Sequence, residues 1–352
     1  MIYVIIGPTC SGKTSSAIYL SDKKNAPIIN GDAFQIYKDM DIGTSKISKN
    51  DKAYKKHYLL DIIEPDKTYS VMEYQKEGRK VLDTLLKDSM DIVIVGGTGL
   101  YIKALLYDYE FREEEKCDNS DLEAMNNEEL HSLLTSLDYE ESQKIHVNNR
   151  KRMIRAISLI RSSDIKKSEM IANQKHELVY PDVKFLFINP DRKVLYENID
   201  KRVIEMMENG LVDEVKKLLS KYNLSLTARQ GIGYKEVISY LDNEISYEEC
   251  VALIQKRTRN YAKRQITFFK HQFPNIEIFS SKEELISMLL RTQNRATWSL
   301  MLSMQRGSCA ATQQLKNPTN CSFLTSDRAR IAVALGSLKT LDPNPSQSRP
   351  GF

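Results

Sequence analysis

The chain has 352 residues, with 51 Lys and Arg against 47 Asp and Glu and a formal net charge of +4, which allows about two domains and a sizeable core. Its five cysteines, Cys10, Cys117, Cys250, Cys309 and Cys321, include no C-x-x-C pair, so a secreted disulfide framework is excluded and a reducing compartment is expected. No apolar run approaches the roughly 20 residues of a membrane span, and the N-terminal apolar stretch stops at Gly7-Pro8, too short for a signal peptide; a cytoplasmic protein with no membrane partner is expected.

In chain order, the first predicted element is a strand over residues 2–6, Ile-Tyr-Val-Ile-Ile. It runs into Gly7-Pro8-Thr9-Cys10-Ser11-Gly12-Lys13-Thr14, which fits G-x-x-x-x-G-K-[ST], and then into a helix from residue 14. In that order the loop N–H groups and the helix N-terminus converge on an anion, so the loop is a phosphate site. Lys13 adds a point charge, and the Thr14 hydroxyl is a candidate ligand for Mg2+, the one cofactor expected.

Strands at 27–30 and 91–95 and a helix at 71–87 continue an α/β pattern, predicting a P-loop-type parallel sheet flanked by helices. From residue 110 the chain turns helix-forming and highly charged, with helices at 121–137 and 150–163 and no strand before 184–188. Residues 110–180 read as a helical insertion domain within a core made of 1–109 and 181–288. Helices follow at 191–209, 212–222, 234–241 and 247–272. Residues 289–352 form an atypical tail: from Arg291 onward there is no Tyr or Glu, and Ser, Thr, Gln, Asn and Pro predominate, the composition of disordered sequence.

A nucleotide-hydrolysing or kinase site usually places an acid at the end of a second strand. Here strand 91–95 ends in Gly96-Gly97-Thr98-Gly99, a turn whose N–H groups and hydroxyl suit a phosphate without adding negative charge. The acid stands after the second strand instead, at Asp32 in Gly31-Asp32-Ala33-Phe34-Gln35. Ligands bind at the carboxyl ends of strands in an open α/β sheet, so Asp32, the phosphate loop and Thr98 are expected to share one crevice. By position alone Asp32 is a metal ligand, a general base or a plain loop acid.

The segments GPTCSGKT, DAFQIYKDMDIGTSK from Asp32, YSVMEYQ from Tyr69, GGTGLYIKALL from Gly96, RQGIGYKEV from Arg229 and AKRQITFF from Ala262 occur in an order that closely resembles the tRNA dimethylallyltransferases (tRNA isopentenyltransferases), the IPP transferase family, over about residues 1–285. Departures are Ala33 where that family usually has Ser, His146-Val147-Asn148-Asn149 in place of HPND, an insertion shortened around 113–127, and the tail. The resemblance implies a prenyltransferase that moves a dimethylallyl group from dimethylallyl diphosphate to N6 of an adenosine beside the anticodon of tRNA, in a monomer. It makes Asp32 the base and assigns Thr98 and Arg202 to the reacting diphosphate. It assigns contact with the anticodon loop to Asp32-Ala33-Phe34-Gln35, Lys151-Arg152-Met153-Ile154-Arg155, Arg229-Gln230-Gly231-Ile232-Gly233-Tyr234 and Lys263-Arg264-Gln265-Ile266-Thr267-Phe268-Phe269-Lys270.

The residues support an RNA partner on their own. From Val251 to Gln272 the chain carries Lys and Arg but no Asp or Glu, and Lys256, Asn260, Lys263, Thr267 and Lys270 fall on one helix face, with Arg259 alongside and Tyr261, Phe268 and Phe269 interleaved. Cations of this kind neutralise phosphates, and aromatic faces stack on splayed bases. The competing readings are a nucleoside or small-molecule kinase, a free-adenylate prenyltransferase, and an RNA-binding regulator with a degenerate core. No His follows His271, and two late cysteines do not complete a four-ligand site, so no zinc is expected.

Overall fold

Six parallel strands order the computed structural model, which describes residues 1–291 apart from 89, 110, 112–117, 164, 165, 167 and 170–175. They are β1 (Ile2–Ile6), β2 (Ile28–Asn30), β3 (His57–Tyr58), β4 (Ile92–Gly96), β5 (Val183–Ile188) and β6 (Glu277–Phe279), in the sheet order β3-β2-β4-β1-β5-β6. β1 lies between β4, with Ile2 opposite Ile92 and Ile6 opposite Gly96, and β5, with Ile6 opposite Phe187. β1, β2 and β4 are apolar and β-branched because helices cover both faces of a parallel sheet. Val4 and Ile6 point into a cluster with Ile94, Phe187 and Phe269, while Ile5 points the other way, to Ala17, Leu20 and Leu186.

The helices of the first half are α1 (Lys13–Lys24), α2 (Val71–Lys87) and α3 (Gly99–Leu106). α2 starts in a capping box: the Ser70 hydroxyl accepts from the Glu73 N–H at 3.2 Å, and the Glu73 carboxylate accepts from the Ser70 N–H at 2.6 Å. α3 was not legible as a helix; it follows the 96–99 turn directly and buries most of its residues.

The segment after α3 holds α4 (Ser120–Ala124), α5 (Asn127–Leu137), α6 (Tyr139–Ser142) and α7 (Arg150–Ser163). The single helix expected over 121–137 is two, because Asn126 caps α5 in its own capping box with Glu129. These helices share an apolar cluster of their own, built on Leu122, Leu130, Leu134, Met153 and Ile157.

Beyond β5 come α8 (Arg192–Glu208), α9 (Leu211–Lys221), α10 (Leu226–Arg229), α11 (Tyr234–Leu241) and the 26-residue α12 (Tyr247–Gln272). The buried Glu236 of α11 pairs with Arg257 of α12. Leu285 and Leu289 pack into the sheet cluster with Ile5, so packed chain continues past residue 288, where the tail was expected to begin. The expectation of disorder falls, from residue 292 onward, outside the described residues.

Candidate active site

β1 delivers the loop 7–14 at its carboxyl end. Gly7 and Pro8 are buried at the base of the loop, and Gly12, at φ 85°, takes the left-handed conformation that lets α1 begin at Lys13. Thr9, Cys10, Gly12, Lys13 and Thr14 line a cavity of about 490 Å3. The Lys13 ammonium donates to the Pro8 carbonyl at 3.3 Å. Burial lowers its pKa from the ordinary 10.5; the Asp32 carboxylate works against that fall and the Arg202 guanidinium adds to it. Arg202 reaches in from α8 and donates to the Thr9 hydroxyl at 2.6 Å. Two cations, Lys13 and Arg202, therefore stand at one glycine-rich loop.

The acid is delivered by the turn after β2. Buried Asn30 holds that turn, accepting the Asp32 N–H at 3.1 Å and donating to the Asp32 and Leu59 carbonyls. The Asp32 carboxylate accepts the Phe34 N–H at 3.0 Å and lines the same cavity as Lys13 and Arg202. The turn is clamped to the end of β4: the Gly31 N–H donates to Val95, the Thr98 N–H donates to Gly31, and the Ala33 N–H donates to the Thr98 hydroxyl oxygen at 3.0 Å. A Cβ on Gly96 would lie 2.1 Å from the Gly31 carbonyl oxygen, so the two turns come this close only because residue 96 is glycine. Thr98 thus braces the Asp32 turn but, unlike Asp32 and the loop, is not among the residues that line the main cavity where it was expected.

α12 closes the other side. Gln265, 5% exposed, accepts the Thr9 N–H at 2.9 Å and donates to the Gly97 carbonyl at 2.8 Å. Gly99 leaves room for the Phe268 ring, which would meet a Cβ at 2.2 Å. Tyr261 lines the cavity beside Gln265; burial, with Asp32 nearby, raises its phenol above 10, so it stays neutral. Phe34, Val203, Met206, Ile232 and Ile254 add apolar side chains to the lining of the same cavity.

The expected RNA residues separate into two kinds. Gln35, Gln230, Gly231, Ile232, Tyr234 and Arg264 line the cavity. Arg229, Lys151, Arg152, Lys263, Thr267 and Lys270 are exposed, as are Lys256 and Asn260 on the same α12 face. Met153 and Phe269, by contrast, are wholly buried, in the α4–α7 cluster and the sheet cluster. Their side chains support the helices and present nothing to a ligand. Ile154 and Ile266 are partly buried against the same kinds of cluster, and Gly233 serves the start of α11. Arg259 pairs with Asp200 instead of extending the basic face.

A family profile described as IPP transferase matches residues 35–272. The chain belongs to the IPP transferase family. The match begins just after Asp32, so the phosphate loop and the acid precede the matched segment yet share its cavity. Among relatives in this family, the tRNA dimethylallyltransferase of Macrococcus caseolyticus is 37% identical over 82% of this chain and 93% of its own. That of Clostridioides difficile is 39% identical over 76% and 88%. The solved structure of tRNA delta(2)-isopentenylpyrophosphate transferase from Staphylococcus epidermidis is similar at TM-score 0.60, with 35% identity, covering 84% of this chain and 99% of that one.

Thr14 and Asp32 also line a small cavity of about 20 Å3 with Asn30 and Gly96. Lys13 and His57 line it too; the Thr14 hydroxyl and the Asp32 carboxylate are the hard oxygen donors there that suit Mg2+, an ion that keeps water and takes further oxygens from a phosphorylated ligand. Among the described residues no group of three His, Cys, Asp or Glu could hold a metal, and no helix is long and apolar enough to cross a membrane.

Sequence reasoning missed Glu214. This α9 acid accepts the N–H groups of Asp41, Ile42 and Gly43, and the Tyr234 hydroxyl donates to it at 2.7 Å. It thereby fixes the 41–45 loop, whose Gly43, Thr44 and Ser45 line the cavity. An acid in the first turn of a helix is too common to have signalled this role.

Proposed function

We propose that this protein transfers the dimethylallyl group of dimethylallyl diphosphate to N6 of an adenosine beside the anticodon of tRNA, releasing diphosphate. The observation that carries the reading is the single cavity lined at once by two cations beside a glycine-rich loop, one carboxylate and several apolar side chains. The names of the relatives agree with it.

In this reaction the bond between the allylic carbon and the bridging diphosphate oxygen breaks, and a bond from that carbon to N6 forms. Negative charge grows on the leaving diphosphate, where Lys13, Arg202 and the loop N–H groups stabilise it. N6 is a poor nucleophile because its lone pair is conjugated with the ring, and Asp32 orients it and takes its proton. Phe34, Val203, Met206 and Ile232 hold the five-carbon chain and keep water from the allylic carbon. Thr98 keeps the Asp32 turn in place. When bound, Mg2+ would be held by Thr14 with substrate oxygens and would supply further charge neutralisation at the diphosphate.

The acceptor base has to leave its stack to enter the cavity, which costs a few kcal/mol. We assign the basic face of α12 and the Lys151–Arg155 segment to gripping the loop on either side, with residues 110–180 as an insertion domain serving the second grip. A cytoplasmic monomer fits a substrate of this kind.

The test is incubation with tRNA and labelled dimethylallyl diphosphate. Label in tRNA at adenosine, with diphosphate released and no ATP consumed, is the expected result. Transfer of phosphate from ATP to a nucleoside would overturn the reading in favour of a kinase.

A further inference from the structure

Gln265 lies in the segment that the sequence reading gave to RNA, yet its amide is already committed. It is 5% exposed, with its oxygen on the Thr9 N–H at 2.9 Å and its nitrogen on the Gly97 carbonyl at 2.8 Å. These partners belong to the two turns that build the anion site. One is the phosphate loop at the end of β1, where the Thr9 hydroxyl also receives Arg202. The other is the 96–99 turn at the end of β4, which holds the Asp32 turn through Gly31 and Thr98. A Cβ on Gly97 would stand 2.3 Å from the Gln265 amide nitrogen, so the contact requires glycine there.

We propose that Gln265 is a positioning residue that locks the diphosphate loop and the Asp32 turn into one register through the two ends of its amide. This rests on the function proposed above. The argument is chemical. An amide is the side-chain group of this length that presents an acceptor and a donor in one plane, so it joins an N–H on one turn to a C=O on another, which a carboxylate or an ammonium cannot do alone. The bond to the Gly97 carbonyl is buried and the bond to the Thr9 N–H is partly buried, and a buried polar group left without its partner is costly. The distance between the leaving group and the base therefore depends on a helix that contributes no charge at this point. Lys263, Thr267 and Lys270 of the same helix are exposed, so the helix that grips RNA on one side fixes the anion cradle on the other.

The test uses Gln265→Met, which keeps length and apolar packing but removes both hydrogen bonds, and Gln265→Asn, which keeps the amide but shortens it by one methylene. Inorganic diphosphate binding is measured by calorimetry without RNA, tRNA binding is measured separately, and kcat and KM follow for both substrates. Both variants should bind diphosphate about 10- to 100-fold more weakly, the scale set by an ångström of misplacement in a preorganised site, with kcat reduced and tRNA affinity within about twofold of the parent. Diphosphate affinity unchanged in both folded variants, or a loss confined to tRNA affinity, would overturn the inference and return Gln265 to the RNA surface. If the parent protein itself failed to bind diphosphate, the proposed function would fall first and this inference with it. Melting curves of both variants identify a merely unfolded one, and the other then decides.

Discussion

Arg202 donates to the Thr9 hydroxyl at 2.6 Å, joining the middle of α8 to a loop 193 residues earlier in the chain. Nothing in the helix around it marks this arginine: its neighbour Lys201 is an exposed cation paired with Glu205. The guanidinium also donates to the Cys10 sulfur at 3.6 Å, and its planar fork of donors is a shape that an ammonium cannot copy. Arg202→Lys should lower kcat/KM for dimethylallyl diphosphate by about 100-fold, in the range of a lost oxyanion donor, with tRNA affinity nearly unchanged. Steady-state kinetics with each substrate varied in turn would show it, and a defect that appears only in tRNA affinity would remove Arg202 from the leaving-group site.

Asp32→Asn separates shape from chemistry. The amide oxygen still accepts the Phe34 N–H that Asp32 accepts at 3.0 Å, so the turn is retained, but the proton acceptor for N6 is lost. The expected fall in kcat is roughly 10²- to 10⁴-fold, with diphosphate and tRNA binding little altered. Turnover within about fivefold of the parent would assign Asp32 to metal or structure instead.

Lys13 sets a pH dependence. Burial holds its pKa below 10.5, with Arg202 pushing the same way and Asp32 opposing, and only the protonated form attracts diphosphate. Affinity for inorganic diphosphate should therefore be lost on the alkaline side at lower pH than for an ordinary lysine. The unliganded fold has the opposite sign: the unfolded chain holds the Lys13 proton to higher pH than the folded one, so this group makes stability rise with pH across that window. In Lys13→Arg the alkaline limb should move to higher pH. An identical limb in the parent and the arginine variant would mean that some other group titrates.

What was legible in the sequence follows the length of each element's pattern. β1 and α2 carry strong periodic or apolar runs, and α2 and α12 start at Ser with Glu three residues on, so their limits could be read. β3 has two residues and β6 three, too few for any alternation, and both exist only because a neighbouring strand supplies the partner. The phosphate loop and Asp32 were legible because a glycine-rich loop and a lone acid follow strands. The Gln265 clasp and the Glu214 anchor were not, since each joins segments more than 160 residues apart and a single Gln or Glu carries no local signal. Met153 and Phe269 show the converse: they sit inside segments expected to meet RNA, but helix geometry turns every third or fourth side chain inward, and both are wholly buried.

Gly96 tests the join between strand ends. A Cβ there would lie 2.1 Å from the Gly31 carbonyl oxygen and 2.3 Å from its carbon, and both are backbone atoms that cannot rotate away. Gly96→Ala should cost about 3 kcal/mol or more, or prevent folding, as overpacking against fixed backbone does. Urea denaturation would measure it. A midpoint shift corresponding to less than about 1 kcal/mol would mean that the turns move apart freely.

The basic face of α12 makes a quantitative prediction about RNA. Lys256, Lys263 and Lys270 are all exposed, while the side chains that hold the helix down, Ile254, Ala262, Gln265 and Phe269, are buried on the other side. Replacing the three lysines with Gln keeps helix propensity and most of the stem, so the melting temperature should hardly change. If each lysine meets one phosphate of a single-stranded or loop segment, each contributes about 0.7 to the slope of log K against log salt, so the triple variant should bind tRNA with a slope shallower by about two. Binding of inorganic diphosphate should be unaffected, because none of the three lines the cavity. A salt slope equal to that of the parent would place this face away from RNA and leave the Lys151–Arg155 segment as the only grip on the anticodon loop.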